Sequence, residues 1–84
     1  MIPKIVHVVP SKDFELLLTF ENHEKRVFNV KPYLNLGAFS ELKNEDLFKT
    51  VKISYDTVAW VNRVDIDPEE LYKNSRKVKN ESIA

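Results

Sequence analysis

The chain of 84 residues contains no cysteine, a single glycine and no excess of charge of either sign. The absence of cysteine excludes disulfides, thiolate nucleophiles and cysteine-based zinc sites. One glycine, Gly37, is too few for a loop that cradles phosphate groups. The balance of 13 basic and 13 acidic residues leaves no whole-domain electrostatic footprint for nucleic acid.

Long apolar runs are also absent. No stretch approaches the roughly 18 apolar residues of a membrane-spanning helix. No apolar region typical of a signal peptide follows Met1. We therefore expect a cytoplasmic protein with no membrane association, and the lack of cysteine fits a reducing compartment.

Hydrophobic alternation predicts five strands. In the clearest case, Leu16, Leu18 and Phe20 point to one side together with Phe14, while Leu17 points to the other. The predicted strands cover residues 5–9, 14–20, 25–30, 51–55 and 57–61. Pro10 is expected to end the first strand, and Asn22-His23 to form a two-residue hairpin turn.

Helix signals lie between and after these strands. Asn44 is a candidate N-cap for residues 45–49. Near the C-terminus, Asp67 is a second candidate N-cap, Pro68 suits the first helical position, and Glu70 can reach back to complete a capping box. The predicted helix runs from about residue 68 to residue 75.

The order of these elements predicts one α+β domain over residues 1–75, followed by a polar basic tail over residues 76–84. We expect a small, mostly antiparallel sheet built from an N-terminal three-strand meander plus two later strands. Short helices and the capped C-terminal helix would pack on it, and Trp60 should be substantially buried near Leu71.

Residues with possible chemistry each have a simpler structural interpretation. Asp65, Asp67, Glu69 and Glu70 form a candidate hard-cation site. However, helix capping already accounts for two of them and for the proline between. The histidines His7 and His23 belong to no metal or catalytic motif. No serine stands in a nucleophile-elbow context; the serines are Ser11, Ser40, Ser54, Ser75 and Ser82. We predict no catalytic residue, no metal site and no cofactor.

Two groups of residues leave a nucleic-acid role open. The aromatic residues Trp60, Tyr33, Tyr55 and Tyr72 could form a stacking platform for bases, although such residues in strands more often belong to the core. The basic residues of the C-terminal segment are Lys73, Arg76, Lys77 and Lys79. They favour either a helix C-terminus that frays into a polar tail or an arm for RNA or DNA.

Three stretches together resemble the small bacterial family catalogued as domain of unknown function 2442. Residues 14–30 match its leucine-rich strand, turn and Val-Phe-Asn-Val strand. Residues 32–42 match its Pro-Tyr-Leu connector with a following Phe-x-x-Leu, and residues 60–72 match its ending in Asp-Ile-Asp-Pro-Glu-Glu-Leu-Tyr. The sequence departs from the family at two turns, because many relatives have glycine where His23 and Arg63 stand.

The resemblance implies a fold like the N-terminal domain of a Nitrosomonas structural-genomics protein, with no established activity and no catalytic residues. It also implies a position beside another small uncharacterised protein, in an arrangement like a toxin–antitoxin pair. We therefore expect a non-catalytic protein-binding module, antitoxin-like in its specific form. The alternative is a nucleic-acid-associated regulatory domain that uses the basic tail. The expected contact is an exposed sheet edge, either residues 5–9 or the strand ending near Val61.

Overall fold

A computed structural model of the chain describes residues 2–78. Its strands and α-helices, in chain order, are β1 Ile5–Ser11, β2 Glu15–Phe20, β3 Lys25–Asn29, α1 Glu45–Phe48, β4 Lys52–Ser54, β5 Thr57–Ala59, α2 Pro68–Lys73 and β6 Arg76–Lys77. Short 3-10 segments cover Lys12–Phe14, Lys31–Tyr33 and Gly37–Lys43. The predicted α+β class is confirmed.

The larger sheet contains four antiparallel strands in the order β1-β2-β3-β6. Its first three strands form the predicted meander. Leu16, Leu18 and Phe20 on β2 are buried in the core, whereas Leu17, between them, lies on the opposite face and is exposed. The sheet therefore has an inner face that packs on the core and an outer face that points away from it.

The two later strands do not join this sheet, which corrects the expectation of a single sheet. β4 and β5 form their own antiparallel ribbon, and an isolated bridge between Ala59 and Asp65 extends it by one residue pair. The ribbon meets the larger sheet through side chains of the common core instead of backbone hydrogen bonds. On β4 and its turn, the predicted alternating face is exposed at Ile53 and Tyr55.

The core lies between the inner face of the larger sheet, the ribbon and the short helices. Its members are Ile5, Leu16, Leu18, Phe20, Phe28, Val30, Leu34, Leu42, Phe48, Val58, Trp60, Val64, Ile66 and Leu71. Trp60 is buried as predicted, and its indole Nε1–H donates to the Phe48 carbonyl at 2.8 Å. This bond satisfies the one polar group that the tryptophan brings into the core.

The turn between β1 and β2 differs from the sequence prediction. β1 continues through Pro10 to Ser11 and ends in a turn in which Asp13 and Phe14 have φ angles of 61° and 60°. Phe14 therefore lies in the turn and not in β2. Its ring packs edge-on against Phe48, with the ring centroids 5.2 Å apart, so core contact holds an unfavourable backbone conformation in place.

The turn between β2 and β3 has three loop residues, not the two expected. The Phe20 N–H donates to the Glu24 carbonyl, and the His23 N–H donates back to the Phe20 carbonyl, both at 2.9 Å. His23 has φ 71°, the left-handed conformation that such loops require after a type I turn. The Asn22 carboxamide oxygen accepts from the Glu24 N–H at 3.1 Å and stabilises the loop.

A turn with the same pattern follows Trp60. The Arg63 N–H donates to the Trp60 carbonyl at 3.0 Å, and the Trp60 N–H donates to the Val64 carbonyl at 2.9 Å. Arg63 has φ 71°, and the Asn62 carboxamide oxygen accepts from the Val64 N–H at 3.2 Å. The chain thus uses one local design twice, with asparagine followed by a basic residue at the left-handed position.

Both predicted helix caps are present. The Asn44 side chain accepts from the backbone N–H groups of Asp46 and Leu47 at the start of α1. The Asp67 side chain accepts from those of Glu69 and Glu70 at the start of α2. Each cap satisfies N–H groups that have no partner within the helix.

The C-terminal segment does not leave the domain after Ser75, where the sequence predicted the start of a polar tail. Arg76 and Lys77 form β6, which pairs with Val27 and Arg26 of β3. The helix before it ends at Lys73 and not at residue 75. The rest of the predicted tail, residues 79–84, lies outside the described residues. Within residues 2–78, no helix is long and apolar enough to cross a membrane.

Candidate functional site

The outer face of the larger sheet carries an apolar row across three strands. The strand register places Val9 of β1 opposite Leu17 of β2, and Leu17 opposite Val27 of β3. Val9 is 39% exposed and Leu17 is 42% exposed, while Val27 is buried. We call these three side chains the outer row. Because neighbouring apolar side chains that remain about 40% exposed favour association, Val9 and Leu17 make the outer row the first candidate for a contact surface.

Polar residues border the outer row on both sides. One neighbouring row contains His7, Thr19 and Lys25; the other contains Ser11, Glu15 and Asn29. Arg76 of β6 lies beside Val27 at the end of the outer row, with its Nη2 3.8 Å from Glu15 Oε2. Lys25 Nζ donates to Thr19 Oγ1 at 3.4 Å. An apolar centre with a polar border is the usual composition of a protein–protein contact.

The free edge of β1 has limited capacity to pair with another strand. The Phe20 N–H faces β3, where it bonds to Glu24. Because backbone direction alternates along β2, the N–H and C=O groups of Leu18 also face β3. Val8, which lies opposite Leu18 on β1, therefore directs its own N–H and C=O groups to the free edge. Pro10, two residues further along β1, therefore faces outward as well, which explains why a proline is tolerated within the strand.

This geometry leaves few donors along the edge. Pro10 has no N–H, and a register shift between Ile5 and His7 distorts the other end of β1. Proline and bulges are devices that protect sheet edges from pairing. β1 is thus an edge strand, as predicted for residues 5–9, but it is poorly suited to receive a partner strand.

The second edge predicted from the sequence, the strand ending near Val61, corresponds to β5, an end strand of the two-stranded ribbon. β5 stops at Ala59, where a bridge to Asp65 covers one residue of its free side. Val61 itself lies in the following turn and is 60% exposed, away from the outer row.

Two open clefts lie beside turns of the chain. The larger, about 560 Å³, lies beside the β1–β2 turn and is lined by Lys12, Phe14, Glu45 and Lys49 among others. The smaller, about 360 Å³, lies between the β4–β5 turn and the start of α2. Tyr55 at this turn is 99% exposed with φ 56°. Both clefts are open to solvent and combine charged groups with backbone turns.

A charged network at the other side of the core joins β3 to α2. Glu24 Oε1 accepts from the Tyr72 hydroxyl at 2.8 Å and from Arg26 Nε at 3.0 Å. The guanidinium of Arg26 lies 4.1 Å from the centroid of the Tyr72 ring, and its Nη1 donates to the Ser75 carbonyl at 3.0 Å. The hydrogen bond from Tyr72, followed by that from Arg26, lowers the pKa of Glu24.

Because each partner in this network is already bonded, the network fastens α2 and β6 to the sheet and leaves no group poised for chemistry. Sequence reasoning missed it, since Arg26 and Ser75 lie 49 positions apart. Alternation alone places Arg26 on the inner face, and an inward arginine is the one signal that predicts a buried partner.

Glu70 does not complete the predicted capping box. Its carboxylate instead accepts from the Tyr33 hydroxyl at 2.5 Å. Burial, followed by this hydrogen bond, raises the pKa of Tyr33, because both favour the neutral phenol. The bond connects the 3-10 segment Lys31–Tyr33 to α2.

The acidic residues singled out in the sequence are not brought together. Asp67 caps α2 and Glu69 pairs with Lys73 at 3.8 Å, while Asp65 is exposed beside the bridge to β5. Within residues 2–78, no group of three or more histidine or acidic side chains is arranged to hold a metal ion.

The aromatic residues do not form a stacking platform. Trp60 is buried, while Tyr33 and Tyr72 are half-buried and bonded to acidic side chains. Only Tyr55 of the four is fully exposed. The core interpretation therefore holds for three of the four.

The two histidines occupy separate positions. His7 is exposed on the outer face of β1, and His23 is exposed in the β2–β3 turn. Neither ring takes part in a hydrogen bond among the side-chain bonds of residues 2–78. The arrangement thus presents no pairing of a histidine with a nucleophile.

Comparison with known proteins gives one match. The model of a family described as a protein of unknown function, DUF2442, matches residues 5–77. The match begins with β1 and ends with β6, so it covers the whole of both sheets and both helices. No curated protein and no solved structure matches the chain.

Proposed function

Because the chain belongs to the DUF2442 family, whose description assigns no function, we propose a function from the surfaces of the molecule itself. The chain is a non-catalytic module that binds another protein. The observation that carries this proposal is the outer row, in which Val9 and Leu17 stand half-exposed at the centre of a polar border. Burying two such side chains in a contact stabilises it by about 1 kcal/mol each.

The form of the contact follows from the geometry of β1. Since the bulge and Pro10 limit strand addition at that edge, the partner packs on the face of the sheet and not along its edge. A partner with an apolar helix or sheet face of similar width fits this surface. The partner we propose is a small protein whose activity the chain restrains, an antitoxin-like role supported by the family resemblance of its three sequence stretches.

The proposal includes the absence of catalysis. Supporting it, the side chains of Glu24, Arg26 and Tyr72 are engaged in hydrogen bonds within the chain. The residues that line the two clefts include no histidine, and the buried hydroxyl of Thr57 already donates to the Ile66 carbonyl.

The alternative, nucleic-acid binding through the C-terminal basic residues, has less support. Each described base of that segment already has an acidic neighbour, at 3.8 Å in every case: Lys73 with Glu69, Arg76 with Glu15 and Lys77 with Glu24. Such pairs reduce the local positive potential on which nucleic-acid binding depends. This alternative predicts a salt-dependent shift of nucleic acid by the purified chain.

A pull-down with three forms of the chain tests the proposal. The tagged wild type, Leu17→Lys and Val61→Lys are incubated with lysate of the source cells, and bound proteins are identified and titrated. Val61 is a matched control because it is exposed and apolar but lies off the outer face. We expect saturable capture of one small protein by wild type and V61K, weakened at least about tenfold in L17K.

Thermal melts must show all three forms folded. Equal capture by L17K would show that the outer row is not the contact. If wild type captures no protein but shifts nucleic acid in a salt-dependent way, or turns over a small substrate, the proposed function is wrong.

A further inference from the structure

The charged residues on the outer face of the sheet are arranged so that two copies of this face complement each other. Resting on the proposed function of this face, we propose that in the absence of its partner the chain covers the outer row with a second copy of itself. The two copies pack face to face about a two-fold axis that runs across the strands, through the outer row.

The register of the sheet selects this axis over the other in-plane choice. An axis parallel to β2 would stack Glu15 on the partner's Glu15 and leave Lys25 with no carboxylate of the partner nearby. Like charges placed opposite each other destabilise a contact. That arrangement is therefore disfavoured.

With an axis across the strands, each polar row faces the other polar row of the partner, and the outer row faces the partner's outer row. Leu17 then packs on the partner's Leu17, and Val9 on the partner's Val9. Lys25 falls opposite the partner's Asn29, one strand away from the partner's Glu15. Since neighbouring strands lie about 4.8 Å apart, the lysine side chain can reach that carboxylate.

The symmetry makes each favourable contact occur twice, as an isologous interface requires. Arg76, at the far end of the outer row, approaches the partner's Arg76. The Arg76 side chain is 69% exposed, against 34% for Glu15, so water and salt screen this repulsion more strongly than that between two Glu15 side chains.

The size of the face sets the strength of the contact. Three strands about 4.8 Å apart and five residues of about 3.4 Å each present roughly 200 Å² per copy. Stable interfaces bury about 800 Å² per partner. The dimer is therefore weak and exchangeable, so it covers the apolar row at high concentration and yields to a partner that offers more area.

Self-association is measured by sedimentation velocity and by two-dimensional amide NMR at about 10 μM and about 1 mM chain. We expect a monomer at the lower concentration and substantial dimer at the higher. Amide shifts that depend on concentration should cluster on outward-facing residues of β1, β2 and β3. Leu17→Lys should abolish the dimer, whereas the control Val61→Lys should retain it.

A charge reversal tests the axis. Lys25→Glu should weaken the dimer at least about threefold, because it turns the attraction between residue 25 and the partner's Glu15 into repulsion, whereas Lys25→Arg, which keeps the charge, should retain the dimer. A chain that is monomeric at about 1 mM, an associating L17K, or a K25E variant that dimerises as well as K25R would overturn the proposal.

The outcomes separate this inference from the proposed function. A wild type that stays monomeric but captures a protein through Leu17 overturns the dimer and leaves the function standing. A dimer with the expected response to both tests, in a chain that captures no protein, supports the inference and overturns the function.

Discussion

At the scale of single residues, the scarcity of glycine has a visible consequence. Between residues 2 and 78, positive φ angles occur at five residues other than glycine: Asp13, Phe14, His23, Tyr55 and Arg63. A side chain in this conformation costs about 1–2 kcal/mol. At His23 and Arg63, a preceding asparagine offsets part of the cost by bonding the backbone of the turn.

Only some of these positions could be predicted from the sequence. Asn22-His23 was recognisable as a turn because asparagine tolerates left-handed backbone and the flanking strands alternate. Asp13-Phe14 was not, since neither residue prefers that conformation and the alternation continues through Phe14. Its conformation depends on the Phe48 ring, a tertiary contact that local pattern cannot reveal.

The left-handed turn predicts a stabilising substitution. His23→Gly should raise the free energy of unfolding by about 1 kcal/mol, because glycine adopts φ 71° without steric cost and the His23 side chain is exposed. Urea denaturation with an unchanged m-value would measure the change. Lys25→Gly, two residues later in β3, should destabilise instead; a gain of equal size there would show that the turn is not the cause.

At the scale of elements, α2 shows both the reach and the limit of sequence reasoning. Asp67 and Pro68 predicted where the helix starts, because capping depends on neighbours in sequence. The partners that hold the helix in place were not predictable: Glu70 bonds Tyr33, 37 positions away, and Tyr72 bonds Glu24, 48 positions away. Periodicity specifies faces of an element and carries no information on which distant side chain each face meets.

The network around α2 predicts a dependence on pH. The pKa of Glu24 is lowered in the folded chain, so its ionised form contributes stability above its ordinary value of 4.5, and this stability is lost as the pH falls through the folded value. Glu24→Gln should therefore lower the melting temperature near pH 7, and the gap to wild type should close below about pH 4.5.

Thermal melts from pH 3 to pH 7 measure this gap. Asp56→Asn is a matched control, because Asp56 is an exposed carboxylate in the β4–β5 turn. Its effect should stay small throughout. A gap for E24Q that remains constant with pH would show that the glutamine disturbs packing instead of removing a charge.

At the scale of the whole molecule, alternation predicted the α+β class and the outward position of Leu17, but not the neighbours of each strand. The division into two sheets was missed because the alternation of Val58 and Trp60 fits either arrangement. β6 was missed because Arg76 and Lys77 are polar and pair with a strand far back in the chain. The outer row could not be predicted either, because it depends on the strand register that places Val9 and Val27 beside Leu17.

The closure of the larger sheet by β6 has a consequence for the order of folding. The first three strands are joined by short turns, so their pairing closes small loops, whereas Arg26 meets Ser75 only after a loop of 49 positions has closed. We infer a transition state in which the meander is formed and the C-terminal segment is still free.

Arg26→Met, which keeps an apolar stem but removes the bonds to Glu24 and the Ser75 carbonyl, should then speed unfolding and leave the folding rate nearly unchanged. Leu16→Ala, in the central strand of the meander, should slow folding. Stopped-flow kinetics over a range of urea would separate the two, and a slower folding limb for the Arg26 variant would contradict this order. If it holds, the segment that docks last is also the first to release, and transient openings of the native chain begin at α2 and β6.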